Sequence, residues 1–313
     1  MPVSMLIAGG GTGGHLYPGI AVARELMTRV PDATVTFVGT AAGIEARVVP
    51  REGFTLDVIR SAGLKGKSLA SVARGMSLLP ASAIDAWHVI GRRQPRVVIG
   101  VGGYSSGPVV ALAAMRGIPT MLMEQNAVPG LTNRLLARLV SAAAVTYSES
   151  ISFFGSKAFV SGNPVRPEFF GEAYEPHDSP PGAARVLVFG GSQGAHAINM
   201  AMVEAAARLA AASPRVAITH QTGERDLEVV RDGYRRAGLE ARVEPFLFTM
   251  DREMKLADVV VCRSGATTLA ELTAARRASI LVPFPGATDD HQRKNADVLV
   301  KQGAARMVEQ GRA

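Results

Sequence analysis

The chain has 313 residues, long enough for two ordinary domains and long for one. Hydrophobic residues make up 47% and charged residues 19%, which supplies apolar material for sizeable cores and excludes a disordered, tail-like polypeptide. The formal net charge of +7 favours anionic partners (phosphates, nucleotides, an anionic lipid surface or nucleic acid), and the single cysteine, Cys262, excludes an intrachain disulfide framework or a multi-cysteine metal site. Residues 1–8 have no basic n-region and pass straight into glycines, so no signal peptide is read there. No stretch reaches the ~18 apolar residues of a spanning helix. A cytoplasmic enzyme is the default expectation.

Residues 5–8 read as a strand that runs into GGGTGGH at 9–15. Gly9, Gly11 and Gly14 fit G-x-G-x-x-G, and Pro18 stands near the following helix start. Backbone amides and a helix N-terminus would face an anion there. A dinucleotide site is the obvious reading, yet the next strand, 35–39, ends in Gly39-Thr40 with no acid to take a ribose diol. The alternative is a tight turn that packs helix on strand. His15, at the mouth of the loop, is open to a structural or a catalytic role.

Residues 63–67 form a basic loop. Leu69, Val72, Met76 and Leu79 then recur at helical spacing, Ile84, Trp87 and Ile90 continue the apolar face past Pro80, and Arg92 and Arg93 follow. A core-facing amphipathic helix pair is the ordinary explanation. A membrane-surface patch is the sharper one. Lys65, Lys67, Arg74, Arg92 and Arg93 would each add ~1 kcal/mol near anionic lipid before screening, with the single Trp between them.

Residues 96–101 are a further strand, leading into GGYSSGP at 102–108. Gly102, Gly103 and Gly107 make this a second glycine-rich strand end, and two anion cradles in one half suit a diphosphate or a long phosphorylated ligand. Residues 120–123 lead into Glu124, Gln125 and Asn126, polar groups at a strand's carboxyl end. Asn126 reads alternatively as a helix N-cap before Pro129-Gly130, worth ~1 kcal/mol.

Residues 162–184 hold prolines at 164, 167, 176, 180 and 181 and read as a linker. The pattern then restarts with a strand at 184–189, GGSQGA at 190–195 and a helix-like run. Backbone amides with the Ser192 hydroxyl would hold a diphosphate. An anion at a helix start gains up to ~2 kcal/mol, too little alone, so a cation is expected nearby, with Arg166 the candidate. Residues 216–219, 259–261 and 280–282 are later strands.

In CRSGATTLAEL at 262–272, Ser264-Gly265 forms a turn and Thr267 and Thr268 suit a helix cap. Glu271 either accepts hydrogen bonds from a ribose diol or closes a capping box with Thr268. In residues 283–296, Asp289, Asp290, His291 and Gln292 are consecutive and would point apart. That argues for sugar-hydroxyl recognition by Asp289 and Gln292 over a metal site. The repeated order of strand, glycine turn and helix predicts an α/β protein of two Rossmann-like doubly wound domains facing a cleft, with boundaries 1–163 and 164–313.

Seven segments in order, GGGTGGHLYPGIAVA, GGYSSGP, EQNAVPGLTNR, GNPVR, GGSQGA, CRSGATTLAEL and PFPGATDDHQRKNA, resemble the MurG family of bacterial UDP-N-acetylglucosamine transferases over residues 9–296. The resemblance implies a GT-B fold and inverting transfer of GlcNAc from UDP-GlcNAc to the MurNAc 4-hydroxyl of undecaprenyl-diphospho-MurNAc-pentapeptide (lipid I). The product would be the β-1,4-linked lipid II of peptidoglycan synthesis. It implies peripheral work at the cytoplasmic face of the plasma membrane, with an anionic membrane surface and other cell-wall enzymes as partners, no nucleic acid, and no metal or cofactor.

On matching positions, Arg166 and Ser192 would contact UDP. Leu247 and the turn Ala266, Thr267, Thr268, Leu269, Ala270 and Glu271 would surround uracil and ribose. Thr12, Gly13, Gly14, Asn126 and Gln292 would approach the GlcNAc and the reacting centre. The N-terminal loops, through Gly10, Gly11, Gly102, Gly103 and Tyr104, would face the acceptor diphosphate. The transfer needs a base worth ~10²–10⁴-fold, with His15 the first candidate and Glu124 the second.

Two departures from the family stand out. Family chains run on with a final helix that returns to the N-terminal half, a segment expected to be lacking in a sequence ending at Ala313. Phe248-Thr249 also replaces an acidic pair expected after Phe246-Leu247. Two rival readings remain: an NAD-type oxidoreductase resting on Gly9, Gly11 and Gly14, and a non-catalytic nucleotide-sugar binder.

Overall fold

A computed structural model describes residues 3–61, 77–170, 182–191, 193–213 and 215–311. It divides into two compact units, Met1–Val165 (unit 1) and Arg166–Ala313 (unit 2).

Unit 1 alternates β1 (Ser4–Gly9), α1 (Gly13–Arg29), β2 (Thr34–Gly39), α2 (Glu45–Arg51), β3 (Thr55–Val58), α3 (Leu79–Arg93), β4 (Val97–Gly102), α4 (Ser106–Met115), β5 (Thr120–Glu124), α5 (Leu131–Leu136), β6 (Ala142–Val145), α6 (Ile151–Phe154) and β7 (Ala158–Val160). The strands form one parallel sheet, ordered β3-β2-β1-β4-β5-β6-β7. A parallel sheet covered on both faces needs continuous apolar strands, and β1 and β4 supply them. Side chains alternate between the faces. Leu6, Ala8, Val38, Val98 and Leu122 pack with Ala86, Val89 and Ile90 of α3 and with Val109 and Val110 of α4. Ile7, Phe37, Ile99 and Val101 pack with Leu16, Ile20 and Ala23 of α1.

Unit 2 repeats the plan with β8 (Ala184–Phe189), α7 (His196–Ala210), β9 (Val216–Gln221), α8 (Leu227–Arg236), β10 (Ala241–Glu244), α9 (Met250–Leu256), β11 (Val259–Cys262), α10 (Ala266–Ala274), β12 (Ala278–Leu281), α11 (His291–Lys301) and β13 (Ala305–Met307). Its parallel sheet runs β10-β9-β8-β11-β12-β13. Both units are thus doubly wound, as the alternation of strand and helix predicts. Strand order reverses between β1 and β4 in unit 1 and between β8 and β11 in unit 2. Ligands of such sheets bind outside the carboxyl ends of the strands at this reversal.

The helix-pair reading of 69–93 needs correction in its second half. Pro80 sits in the first turn of α3, where its missing N–H has no helical partner to lose. The helix turns Ser82, Ala86, Val89 and Ile90 inward. Ile84, Trp87 and Leu79 are exposed, so they are not core residues. Leu69, Val72 and Met76 lie outside the described residues, as do Lys65, Lys67 and Arg74. Arg92 and Arg93 both bond the nearly buried Asp57, at 2.9 and 2.8 Å, and hydrogen bonding from Arg93 holds its carboxyl below the usual range. These two arginines are therefore committed within unit 1 rather than spare for lipid.

Candidate functional site

At the unit 1 reversal the two glycine loops lie against each other. Gly9 of β1 pairs with Gly102 of β4 after a register shift at Ala8/Gly9, and the Gly10 amide donates to the Gly102 carbonyl at 3.4 Å. A Cβ on Gly103 would strike the Gly10 carbonyl. The ring of Tyr104 stands beside Gly11, and its carbonyl accepts from the Ser61 hydroxyl at 3.1 Å.

An acid does stand at the end of β2, six residues beyond Gly39. Glu45 opens α2, is only 1% exposed, and turns inward. Its carboxylate accepts from the Gly11 amide at 2.8 Å, the Thr40 amide at 2.9 Å and the Thr40 hydroxyl at 3.0 Å. A Cβ on Gly10, Gly39 or Gly43 would collide with it. The loop therefore closes around an anion of its own. The Gly10 and Gly11 amides, expected to face an acceptor diphosphate, already have acceptors within the protein. Glu45 takes backbone donors instead of presenting itself to a ribose, which removes the geometric basis of the oxidoreductase reading.

The loop delivers Thr12, Gly13, Gly14 and His15 to the start of α1. Thr12 Oγ1 lies 3.0 Å from His15 Nδ1. With the proton on Nδ1 donated to Thr12, Nε2 keeps its lone pair and suits a general base. The His15 ring lies over Gly102, where a Cβ would come 2.8 Å from its Cδ2.

Glu124 ends β5 and is buried. Burial pushes its carboxyl up, against four N–H donors that favour the carboxylate. Asn126 donates through its amide and Nδ2 at 3.0 and 3.2 Å, Gly130 at 3.1 Å and Asn133 Nδ2 at 2.8 Å. All the oxygen lone pairs are engaged, which corrects the expectation of a second candidate base: Glu124 organises loop 125–130. Asn126 does not cap α5 either, since Gly130 stands at that N-cap.

At the unit 2 reversal, β8 ends in the loop 190–195, of which Ser192 lies outside the described residues. The Gly194 amide donates to the Gly191 carbonyl at 2.9 Å, forming a tight turn before α7. A Cβ on Gly194 would strike the Thr222 carbonyl, and one on Gly223 the Gln193 carbonyl, so loop and strand end touch backbone to backbone. Under the loop runs a polar chain that the sequence did not reveal. Asn199 Nδ2 donates to the Thr222 carbonyl and to Asp226, at 2.9 and 2.8 Å, and its Oδ1 lies 3.1 Å from His220 Nε2. His220 Nδ1 lies 2.7 Å from the Tyr234 hydroxyl. Burial pushes the imidazole down to about 4. It is therefore neutral, with the proton on Nε2 facing Asn199 and Nδ1 accepting from Tyr234. His196, first residue of α7, meets Asp226 at 3.0 Å. Burial pushes the Asp226 carboxyl up, but hydrogen bonds from Asn199 and His196 outweigh it and hold the group low.

Across the reversal, β11 ends at Cys262 and α10 begins at Ala266 with Gly265 as N-cap. Thr268 is already inside the helix, so the capping-box reading of Glu271 falls. Glu271 instead faces Arg166, Nη2 to Oε1 3.4 Å. Burial pushes the Glu271 carboxyl up to about 7 despite that cation. The Arg166 guanidinium also stacks over the Phe169 ring at 4.9 Å. Ser264 Oγ donates to the Gln292 carbonyl at 2.8 Å, while Gln292 Oε1 accepts from the Phe284 amide at 3.0 Å. This ties Gln292, on α11, to the β11 turn. Leu247 is buried, and its amide donates to Gln221 Oε1 at 2.8 Å. The open face of that turn is Phe246 and Phe248, with rings 5.0 Å apart and Phe248 90% exposed. No cluster of potential metal ligands occurs among the described residues.

Comparison with known proteins bears on both halves. The chain matches the glycosyltransferase family 28 N-terminal domain over residues 5–145 and the glycosyltransferase family 28 C-terminal domain over residues 185–313. It is 52% identical over 307 residues to the UDP-N-acetylglucosamine--N-acetylmuramyl-(pentapeptide) pyrophosphoryl-undecaprenol N-acetylglucosamine transferase of Anaeromyxobacter dehalogenans (strain 2CP-C), covering 98% of this chain and 80% of that protein. The protein of the same name from Myxococcus xanthus (strain DK1622) is 49% identical over 306 residues, covering 97% and 80%. The crystal structure of Acinetobacter baumannii MurG superposes with a TM-score of 0.80 at 30% identity, covering 100% of this chain and 87% of that one.

Proposed function

The chain belongs to glycosyltransferase family 28, and on that premise we infer that it transfers N-acetylglucosamine from UDP-GlcNAc to lipid-linked MurNAc-pentapeptide. The two units are α/β sheets of the GT-B class.

One observation carries the assignment of the donor to unit 2. The β8/β11 reversal is flanked by a glycine turn at a helix start and, on α10, by Glu271 paired with Arg166. The turn suits a diphosphate. A carboxylate in that setting suits the two hydroxyls of a ribose, and Arg166 suits the negative charge that gathers on departing UDP.

Unit 1 supplies the base in this reading. His15 Nε2 takes the proton of the acceptor 4-hydroxyl. The oxygen bonds to the anomeric carbon of GlcNAc as the bond from that carbon to the UDP oxygen breaks, and inversion gives a β-1,4 linkage. The step needs the His15 tautomer in which Nδ1 carries the proton and donates it to Thr12 Oγ1, 3.0 Å away. Gly13, Gly14, Asn126 and Gln292 serve the sugar and the reacting centre. The acceptor diphosphate is assigned to the 103–104 turn, because the Gly10 and Gly11 amides already have acceptors within the protein.

Peripheral attachment at the cytoplasmic face of the membrane fits a lipid-linked acceptor. No helix among the described residues is long and apolar enough to cross a membrane. The exposed Leu79, Ile84 and Trp87 on α3 support a lipid-facing patch, with Arg116 stacked 4.6 Å over the Trp87 ring.

The deciding experiment is transfer of labelled GlcNAc from UDP-GlcNAc to a lipid-linked MurNAc-pentapeptide analogue, with release of one UDP per disaccharide expected. Binding of UDP without transfer would reduce the chain to a nucleotide-sugar binder. Melting that responds to NADH but not to UDP would overturn the reading altogether.

A further inference from the structure

Gln221 ends β9, the strand between β8 and β10, and pairs in register with Phe189 on one side and Glu244 on the other. It is 2% exposed. Its Nε2 donates to the Gly191 carbonyl at 2.9 Å, and its Oε1 accepts from the Leu247 amide at 2.8 Å. One side-chain amide therefore bridges the turn that follows β8 and the turn that follows β10. The neighbouring backbone reinforces the bridge. Thr222 and Gly223 donate to the carbonyls of Glu244 and Pro245, at 3.0 and 3.1 Å, while Gly194 packs against the Thr222 carbonyl.

The bridge has a direction. The carbonyl needs a donor and the amide needs an acceptor, so only a side chain with one of each at this length satisfies both. Both groups are backbone: without Gln221 the buried Leu247 amide loses its acceptor, which is unfavourable, while the Gly191 carbonyl keeps only the Gly194 amide of its own turn and loses its tie to the β10 side.

We propose that Gln221 is a positioning residue for the donor nucleotide: it fixes the spacing between the turn that takes the diphosphate and the turn that takes the nucleobase. This rests on the assignment of UDP to unit 2. A nucleoside diphosphate engages both turns at once and gains from their fixed separation, because the ligand does not have to order them on binding. Uridine engages one turn and gains nothing from the spacing.

The test uses two variants of the full chain. Gln221→Met keeps the volume and removes both hydrogen bonds. Gln221→Glu keeps an acceptor for Leu247 and sets an oxygen against the Gly191 carbonyl, so it carries the test if the Met variant does not fold. Calorimetric titration with UDP and with uridine is the readout, alongside thermal melting. UDP affinity is expected to fall about 10–100-fold in both variants, with uridine affinity within about 3-fold of wild type. A folded variant that binds UDP like wild type overturns the proposal. Equal loss for uridine and UDP overturns it too, since the residue would then only shape the base turn. Failure of the wild-type chain to bind UDP overturns the donor assignment itself, and is distinguishable because it appears without any substitution.

Discussion

Replacing Glu45 by Gln tests the account of the first glycine loop most sharply. Two carboxylate oxygens serve three donors: the Gly11 amide, the Thr40 amide and the Thr40 hydroxyl. Gln has the same shape but offers one oxygen and one NH₂ group. Whichever way the amide is turned, at least one backbone N–H faces another N–H. That leaves one buried donor unsatisfied, a loss of about 1–3 kcal/mol. Relief by a shift of the loop is limited, because Gly10, Gly39 and Gly43 already touch the side chain. For a unit of this size the melting temperature should fall by about 2–4 °C per kcal/mol. The loop also carries Thr12 and His15, so turnover should fall by about 10–100-fold, as for a small misplacement of a reacting group. UDP affinity, assigned to unit 2, should not change. Differential scanning calorimetry, steady-state transfer and UDP titration check the three outcomes. A Gln variant that melts within about 1 °C of wild type with undiminished turnover would refute the reasoning.

Glu271 gives a pH prediction. Its carboxyl is pushed up to about 7 by burial, above its ordinary value, so ionisation disfavours the ligand-free fold. Stability from this group is present below the ordinary carboxyl range and is lost as pH rises through about 7. UDP binding runs the other way. If the carboxylate accepts the ribose hydroxyls as proposed, affinity should weaken as pH falls through 7, by up to about tenfold per unit, and Glu271→Gln should flatten the profile. A Gln variant that retains the wild-type pH dependence would assign the titration elsewhere. Gly102→Ala places a Cβ 2.8 Å from His15 Cδ2 and 3.1 Å from Nε2, at a φ of +95°. It should lower kcat in the direction of His15→Ala, itself expected to lose ~10²–10⁴-fold, with UDP affinity intact in both. Wild-type turnover in His15→Ala would remove that residue from the mechanism. Trp87→Ala should weaken salt-sensitive binding to anionic vesicles, and equal binding of the wild type to neutral vesicles would count against the electrostatic part.

The elements legible in sequence are those whose physics is local. The central strands β1, β4, β5, β8 and β11 are continuous apolar runs ending in glycine or polar turns, and the runs alone located them. The peripheral strands β3, β6, β7, β10 and β13 escaped, because three or four residues such as Thr55–Val58 or Ala142–Val145 carry too little pattern to separate from loop. The helix face at 84–90 departs from its apolar spacing for a related reason. Ile84, Trp87 and Ile90 share spacing, but the small residues Ser82 and Ala86 are what let α3 approach the sheet.

In the site, glycines and motif side chains were readable, whereas the groups that hold them were not. Glu45 follows a turn of five residues after β2, and nothing in its sequence neighbourhood says that it points back at Gly11. Glu124 looked reactive because it ends a strand; only its four donors show it to be structural. Gln221 lies 30 residues from Gly191 and 26 from Leu247, so its two bonds exist only after the sheet has formed.

Cys262 is the only thiol in the chain, and it is fully buried at the end of β11. Burial and the neighbouring Glu271 both push it up, so in the folded state it is protonated and shielded from reagents. Alkylation of this protein is therefore a clock that starts only when unit 2 opens, and unit 1 has no cysteine to register on it. A nucleotide that binds closed unit 2 slows the clock in proportion to the ratio of its concentration to its Kd once that ratio is large, about 100-fold at a concentration 100 times its Kd. Donor affinity thus becomes measurable in a pulse-labelling experiment that needs neither the lipid acceptor nor any turnover.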